Sequence, residues 1–435
     1  MRWWQSAQTT VSTEGSLLHG NTNFSRLWGS QALSQTAQNI LNFALIIRVF
    51  ELAHGTRFGN SSVALLILSF GVPSVIFAAV AGVYVDRWNR RKVMVVTNFA
   101  RAILVLGYLF FEHNLVIVVI LSFLISTLTQ FFSPAEAATI PLVVPHEKLL
   151  QANSLFIFTL NASFVIGYSV STPVIALFGT NGPYFLTSLM FLIATLLVIP
   201  LPGNKPMAKF TGGIGTLFRT IRTEVAGNFR LIRTNHNLIF PIFQLTMTQA
   251  TVGVVLALAP ALSLAVLAAP IKATALILII PAGVGMVLGV VAIGSITKRF
   301  TKLQIVSYGL LGGSVFLVLL GLTGILHRTF HGSQLATLAQ ISVVVAIVVL
   351  ALGILNAMVS TAAQTMLQEH TTDETRGKVF GALNMMVNIA ATLPILFAGI
   401  LADLTSVTEV LMALGLILTG VSIGQIYTLR QRGLL

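Results

Sequence analysis

The residues able to do chemistry in this chain fall into three small sets. Gly82, Asp86, Arg87, Arg90 and Arg91 share one hydrophilic break, Gly82-x-x-x-Asp86-Arg87-x-Asn89-Arg90-Arg91. A lone carboxylate among guanidinium groups can make and release an ion pair. Beside a helix start it gains roughly 0.3–1 kcal/mol from the peptide dipoles. That is the chemistry of a latch, whereas Arg90, Arg91 and Lys92 read as anchors to anionic lipid. The second set is a stripe of amides, Gln31, Gln35, Gln38, Asn39 and Asn42, whose spacing puts them on one helical face. Amides facing lipid are costly, so this face points into protein or water. It reads as a cavity wall, with interhelical hydrogen bonding as the alternative.

Shorter stripes follow. They are Ser122, Ser126, Gln130 and Ser133; Asn161, Tyr168 and Thr172; Gln244, Thr248 and Thr251; Asn356, Ser360 and Gln364; Asn384, Asn388 and Thr392. Phe43, Phe131, Phe132, Phe164 and Met385 are candidates for an apolar wall or for plain packing. The third set is the charges within or near apolar stretches: Arg48, Arg101 and Glu136. Arg48 can bind an anionic group, pair with Glu51 or snorkel outward. Arg101 in span 3 and Glu136 after span 4, both expected toward the cytoplasmic end, can pair or join the network of Asp86. None of the 12 acidic residues stands in the middle of an apolar stretch. The 8 histidines have no metal-like spacing, no cysteine occurs, and no phosphate-binding glycine loop is present. The expectation is no enzyme, no metal and no cofactor.

The elements that position these residues follow from composition. Hydrophobic residues make up 55% of the chain and charged ones 9%, with mean hydropathy +0.90. Soluble domains carry about 25% charged residues. This excludes a soluble enzyme, a secreted disulfide scaffold and, despite the net charge of +13, a nucleic-acid-binding domain. A helical span needs about 20 largely apolar residues. Twelve such stretches lie near 28–50, 61–84, 93–111, 114–134, 150–178, 183–201, 237–265, 271–296, 303–326, 335–363, 377–402 and 406–428. Continuous apolar runs such as Val116–Leu121 favour helices over barrel strands. The even count puts both termini on one side. Every Lys and Arg outside the spans falls there too, except Arg57, Lys272 and Arg328. By the positive-inside rule both termini are cytoplasmic.

The predicted organisation is a cytoplasmic tail at 1–25, without the apolar region of a signal peptide, and a six-helix bundle at 26–202. A cytoplasmic loop at 203–235 carries a basic amphipathic helix in which Leu217, Ile221, Val225 and Phe229 form the apolar stripe. A second six-helix bundle fills 236–435. The loop at 86–92 has a weaker counterpart at 297–302, and the segment 137–148 one at 362–375. Parallel repeats of this kind characterise carriers that bind substrate between two bundles.

At these residues the chain resembles the major facilitator superfamily, whose motif G-x-x-x-D-R-x-G-R-R/K is matched except that Asn89 replaces glycine. Asn tolerates a left-handed backbone, so the tight turn is expected to survive. Pro134-Ala135-x-x-Ala138-x-x-Pro141-x-x-Val144-Pro145, Leu149-x-x-Ala152-Asn153 and Arg376-Gly377-Lys378-Val379-Phe380-Gly381 resemble a bacterial branch of macrolide and siderophore exporters. The G-P-x-x-G-G of drug antiporters is absent from span 5, which reads Gly167-Tyr168-Ser169-Val170-Ser171-Thr172-Pro173.

The resemblance implies an all-α integral membrane protein of twelve transmembrane helices in two bundles. It implies efflux of a small molecule by alternating access with protons as coupling ion, as a monomer in the cell membrane. In this family spans 1, 4, 7 and 10 line the cavity. Glu136 is the one acid close enough to such a span to relay protons, and Asp86 would latch spans 2 and 11. With no acid in mid-span, a neutral, amphipathic or anionic substrate is expected. A lipid or lysolipid translocator of the same fold is the alternative.

Overall fold

A computed structural model of the chain describes residues 20–85, 88–203, 236–267, 274–329, 335–369 and 393–433. Helices follow one another along the chain, and no strand occurs among the described residues. In order they are α1 (Thr22–Ala53), α2 (Gly59–Val85), α3 (Arg90–Phe111), α4 (Leu115–Val143), α5 (Leu149–Phe178) and α6 (Gly182–Val198). The second half holds α7 (His236–Leu267), α8 (a π-helical turn Ala275–Ile279 running into Ile280–Ile296), α9 (Lys302–Thr329) and α10 (Leu335–Glu369). The described part of α11 is Leu393–Leu404, and α12 is Val407–Gln431. The tail before residue 20, the central loop with its expected amphipathic helix, and the first part of span 11 lie outside the described residues.

Short polar side chains start several helices by accepting from first-turn N–H groups. Asn21 accepts from Phe24 N at 3.0 Å, Asn114 from Val116 N at 3.1 Å, and Ser406 from Glu409 N at 3.3 Å. Gly179, at φ 75°, follows α5 in a conformation that few other residues adopt.

Among the described residues, nine helices are long and apolar enough to cross a membrane. Of the others, α6 has 17 residues and spans about 26 Å at 1.5 Å per residue. The amide stripe dilutes the apolarity of α1, although its 32 residues exceed the need. The packing is inverted relative to a soluble protein. Phe110, Leu177 and Val291 are 78, 77 and 73% exposed on the outside of the bundle, whereas Asn98 and Gln244 are fully buried. Apolar surface facing outward is what a hydrocarbon solvent permits.

In the first half α1 packs on α5 and α6, α2 on α4, and α3 on α4 and α6. The second half repeats the scheme six helices later: α8 on α10, and α9 on α10 and α12. The halves meet where α5 touches α8, where α1 and α2 touch α7, and where the end of α11 touches the start of α2.

Small residues let helices meet backbone to backbone where no hydrophobic force drives them together. A Cβ added to Gly285 would lie 2.1 Å from Leu350 O, and one on Gly353 would lie 2.2 Å from Ala282 O. The α8–α10 crossing therefore admits no side chain at these positions. Gly353→Val should destabilise the protein by about 1–3 kcal/mol or more, the usual cost of overpacking. A lower melting temperature of the purified protein would show it. Gly313→Ala, whose Cβ would meet nothing within 4 Å, should not lower the melting temperature.

Three local expectations are corrected. The helix containing span 4 does not stop near residue 134; α4 runs through Pro134 and Pro141 to Val143, so Glu136 lies inside it. In a membrane, neighbouring groups re-satisfy the backbone that a proline frees, so proline need not end a helix. Asn89 is not left-handed. At φ −70° and ψ 107° it is the N-cap of α3, its side chain accepting from Lys92 N at 3.1 Å. Arg101 stands halfway along α3 rather than toward one end.

Candidate functional site

A cavity of about 1050 Å³, part of it open to solvent, lies at mid-depth in the second half. Its floor and walls come from the middle of α7 (Thr248 to Leu262), α9 (Gly309 to Leu317) and α10 (Val349 to Val359). The start of α8 adds Ile279, Gly283 and Met286, and α5 of the other half closes one side with Phe164 and Val165. Thr248, Thr251, Ser314 and Asn356 are its polar members, and no charged side chain lines it among the described residues. Such a chamber desolvates apolar surface and offers a few hydrogen bonds that orient a ligand. A ligand with a full charge would lose its hydration there without a counter-charge.

Of the amides named from sequence, Asn356 lines this cavity and Gln244 does not. Gln244 is buried, and its Nε2 donates to Gln425 Oε1 of α12 at 3.0 Å. Thr248 lines it while its hydroxyl donates to Gln244 O at 2.7 Å. Ser360, one turn beyond Asn356, has a buried Oγ without a partner. Asn161 is on an exposed face of α5. Asn384 and Asn388 lie outside the described residues. The larger part of the lining is aliphatic, a feature that a search for polar stripes passes over.

The amide face of α1 belongs to a second, polar site in the first half. Gln31 is buried and donates to Phe156 O of α5 at 3.3 Å. Asn39 packs against Gly167, where a Cβ would come within 2.5 Å of Asn39 Cβ. Gln35 is half-buried on the same face. Gln38 Nε2 donates to Asn42 Oδ1 at 2.8 Å, and Thr129 of α4 donates to Gln38 Oε1 at 3.5 Å. Gln130 turns back to Ser126 O.

From Thr129 the network reaches Arg101, whose guanidinium donates to Thr129 Oγ1 at 3.4 Å and to Asn98 Oδ1. The guanidinium is held between the rings of Phe132 and Phe191, 4.6 Å from each centroid, a cation–π sandwich. Glu136 is buried at 4% exposure, interacts electrostatically with Arg101, and leaves Oε1 without a hydrogen-bond partner. This acid and base lie in the interior of the bundle, connected to the α1 amides by side chains.

Arg48 takes a partner that local spacing could not show. It meets Glu112 Oε1 at the end of α3 at 2.9 Å and His113 Nδ1 at 2.9 Å, with Glu51 at 3.9 Å. The charge is neutralised between α1 and α3, not directed into the cavity.

Of the hydrophilic motif, Gly82 lies in α2, while Asp86 and Arg87 lie outside the described residues. Arg90 donates to Ala138 O at 2.8 Å, and Arg91 to Ile199 O and Leu201 O at 3.4 Å. Two of the three expected lipid anchors therefore reach carbonyls near the ends of α4 and α6, where cations are favoured.

Aromatic side chains link the two halves beside the cavity. Tyr168 packs on Phe164 at 4.5 Å and on Phe43 at 5.2 Å between ring centroids, and Phe43 and Tyr168 share an apolar cluster with Ile279 of α8.

Two helical bundles repeating one packing scheme, with a mid-depth chamber and polar faces turned inward, define a membrane carrier. The chain matches the Major Facilitator Superfamily over residues 27–394 and belongs to that family. It is 28% identical over 199 residues to the uncharacterized MFS-type transporter YkuC of Bacillus subtilis (strain 168), covering 44% of this chain and 45% of that one. It is 27% identical over 191 residues to Macrolide efflux protein A of Streptococcus pyogenes, covering 42% and 46%. The chain thus spans under half the length of the curated relatives it matches. Among solved structures, the POT family transporter PepTSo superposes with a TM-score of 0.71 at 13% identity, covering 95% of this chain and 98% of that one. The nucleoside transporter NupG superposes at 0.66 and 13%, covering 93% and 98%. These likenesses carry the fold alone. The protein is a multi-pass protein of the cell membrane, and its family and fold are those of transporters.

Proposed function

We infer that the chain is a secondary transporter that exports a small amphipathic, neutral or anionic compound by alternating access, driven by proton antiport. The observation that carries this reading is the uncharged, largely aliphatic chamber with Thr248, Thr251, Ser314 and Asn356 as its polar contacts. It suits a ligand with an extended apolar face and few hydrogen-bonding groups. The likeness to Macrolide efflux protein A supports export of drug-like compounds. Residues 26–202 and 236–435 are the two units that rock about one another, with both termini cytoplasmic and the monomer as working unit. Protons are assigned to the Arg101–Glu136 site, whose acid is buried inside α4 with one carboxylate oxygen unpartnered. Asp86 is assigned to the cytoplasmic latch between α2 and the start of α11.

The test is accumulation of a drug and siderophore panel in an efflux-deficient bacterial host, with the parent and Asp86→Asn at matched membrane levels. The parent should lower accumulation of at least one compound, and a protonophore should abolish the effect. Asp86→Asn should lose it too. Full export by a normally expressed Asp86→Asn protein would remove the latch. No change with the parent across the panel would remove drug efflux and favour a lipid-like cargo.

A further inference from the structure

The first turn of α2 is capped from the other bundle. Backbone N–H groups at a helix start have no partner within the helix and are met by water or a capping group. Here the Asp403 carboxylate at the end of α11 meets them. Its Oδ1 accepts from Asn60 N and Asn60 Nδ2, both at 2.9 Å. Its Oδ2 accepts from Ser61 N at 2.8 Å and Ser61 Oγ at 2.5 Å. Four hydrogen bonds to an ionised acceptor, aligned with the positive end of the α2 dipole, form a strong contact between elements 342 residues apart. The helices are pressed together one turn further in. A Cβ on Gly399 would lie 2.7 Å from Ala64 Cβ and 2.9 Å from Asn60 O. Asp403 is half-buried, and every neighbour that it touches in these bonds belongs to the first half.

We propose that Asp403 is the extracellular gate latch of the transport cycle: its carboxylate holds α11 to the start of α2 while the outer side is closed, and lets go when the carrier opens outward. This rests on the alternating-access reading and on the sidedness given by the basic loops. The geometry fits the role. A cap made by a neighbour in the same bundle would persist through rocking, whereas one made across the two bundles must break when they separate at that end. The sequence also places an acid, Asp86, just past the other end of α2. With Asp86 as the inner latch of the proposed function, the Asp403 contact exists in the state where the inner one is broken.

Because the chain contains no cysteine, paired labels can be introduced without altering a background thiol. Spin labels at Phe58→Cys and Thr405→Cys, both exposed beside the latch, report the outer distance. Labels at Glu147→Cys and Arg299→Cys report the inner one. Pulsed dipolar spectroscopy on the full chain in lipid nanodiscs would compare the parent with Asp403→Ala and with the milder Ser61→Ala, which removes one donor. Asp403→Ala should shift the outer distribution toward longer distances and the inner one toward shorter distances, with Ser61→Ala between it and the parent. Two outer populations in the parent that neither variant changes would overturn the latch while leaving alternating access in place. A single, unshifting distance at both ends in every protein would overturn alternating access and the latch with it. If Asp403→Ala does not reach the membrane, Ser61→Ala decides alone: a longer outer distance supports the latch, and an unchanged one overturns it.

Discussion

Gly313→Phe is expected to insert and fold like the parent and to lose transport. Gly313 lines the cavity from α9, and a Cβ there would meet nothing within 4 Å. A benzyl group can therefore grow into the chamber without displacing a helix. It would occupy space that the ligand needs. Loss of about 1.4 kcal/mol of ligand binding already lowers affinity tenfold, and an obstructing ring should cost at least that. The check is export of the identified substrate at matched membrane level, together with the melting temperature of the purified protein. Transport at the parental rate would mean that the ligand path does not run through this chamber. Gly353→Val makes the contrasting case, since its side chain has no space to enter and acts on folding.

Glu136→Gln should separate transport from its energy source. Glu136 is buried inside α4 beside Arg101, with one carboxylate oxygen unpartnered. An amide keeps the shape and cannot exchange a proton. The expected variant does not pump against a gradient and is insensitive to a protonophore, yet still exchanges labelled for unlabelled substrate across vesicles loaded on both sides. Uphill export by Glu136→Gln at the parental rate would remove this acid from proton coupling. Loss of exchange as well would assign Glu136 to the structure of the α3–α4 pair, where Arg101 depends on it for charge balance.

The fold was legible because the bilayer sets the length of every span and the hydrocarbon sets its composition. Each of the twelve apolar stretches meets a helix among the described residues, including α1, whose amides weaken the signal. Helix ends were less legible. Residues 134–143 carry two prolines, and their helical state depends on packing that a linear reading does not contain.

The charged residues show the same limit. Arg48 has Glu51 within one turn, yet its shorter contact is to Glu112, brought in by α3. Asp403 reads as an ordinary loop acid until α2 is placed beside it. The cavity was hardest to find in advance, because Leu256, Leu278 and Leu352 on a chamber wall are indistinguishable in sequence from the same residues in packed contact. Asn89 is a different case: the residue type was informative, but it served to start α3 rather than to tighten a turn.

The backbone crossing of α8 and α10 has a consequence for how widely the protein can select its cargo. With Gly285, Gly289 and Gly353 in direct contact with the opposite main chain, neither helix can slide or rotate without collision. The pair therefore behaves as a single rigid strut that forms one side of the chamber. Adjustment to ligands of different bulk falls on side chains: Phe164 and Val165 from the other bundle, and the flexible thioether of Met286 on α8. A chamber with a fixed backbone frame and yielding side chains measures a ligand only along that frame. Compounds sharing one flat apolar face but differing elsewhere should then be handled alike.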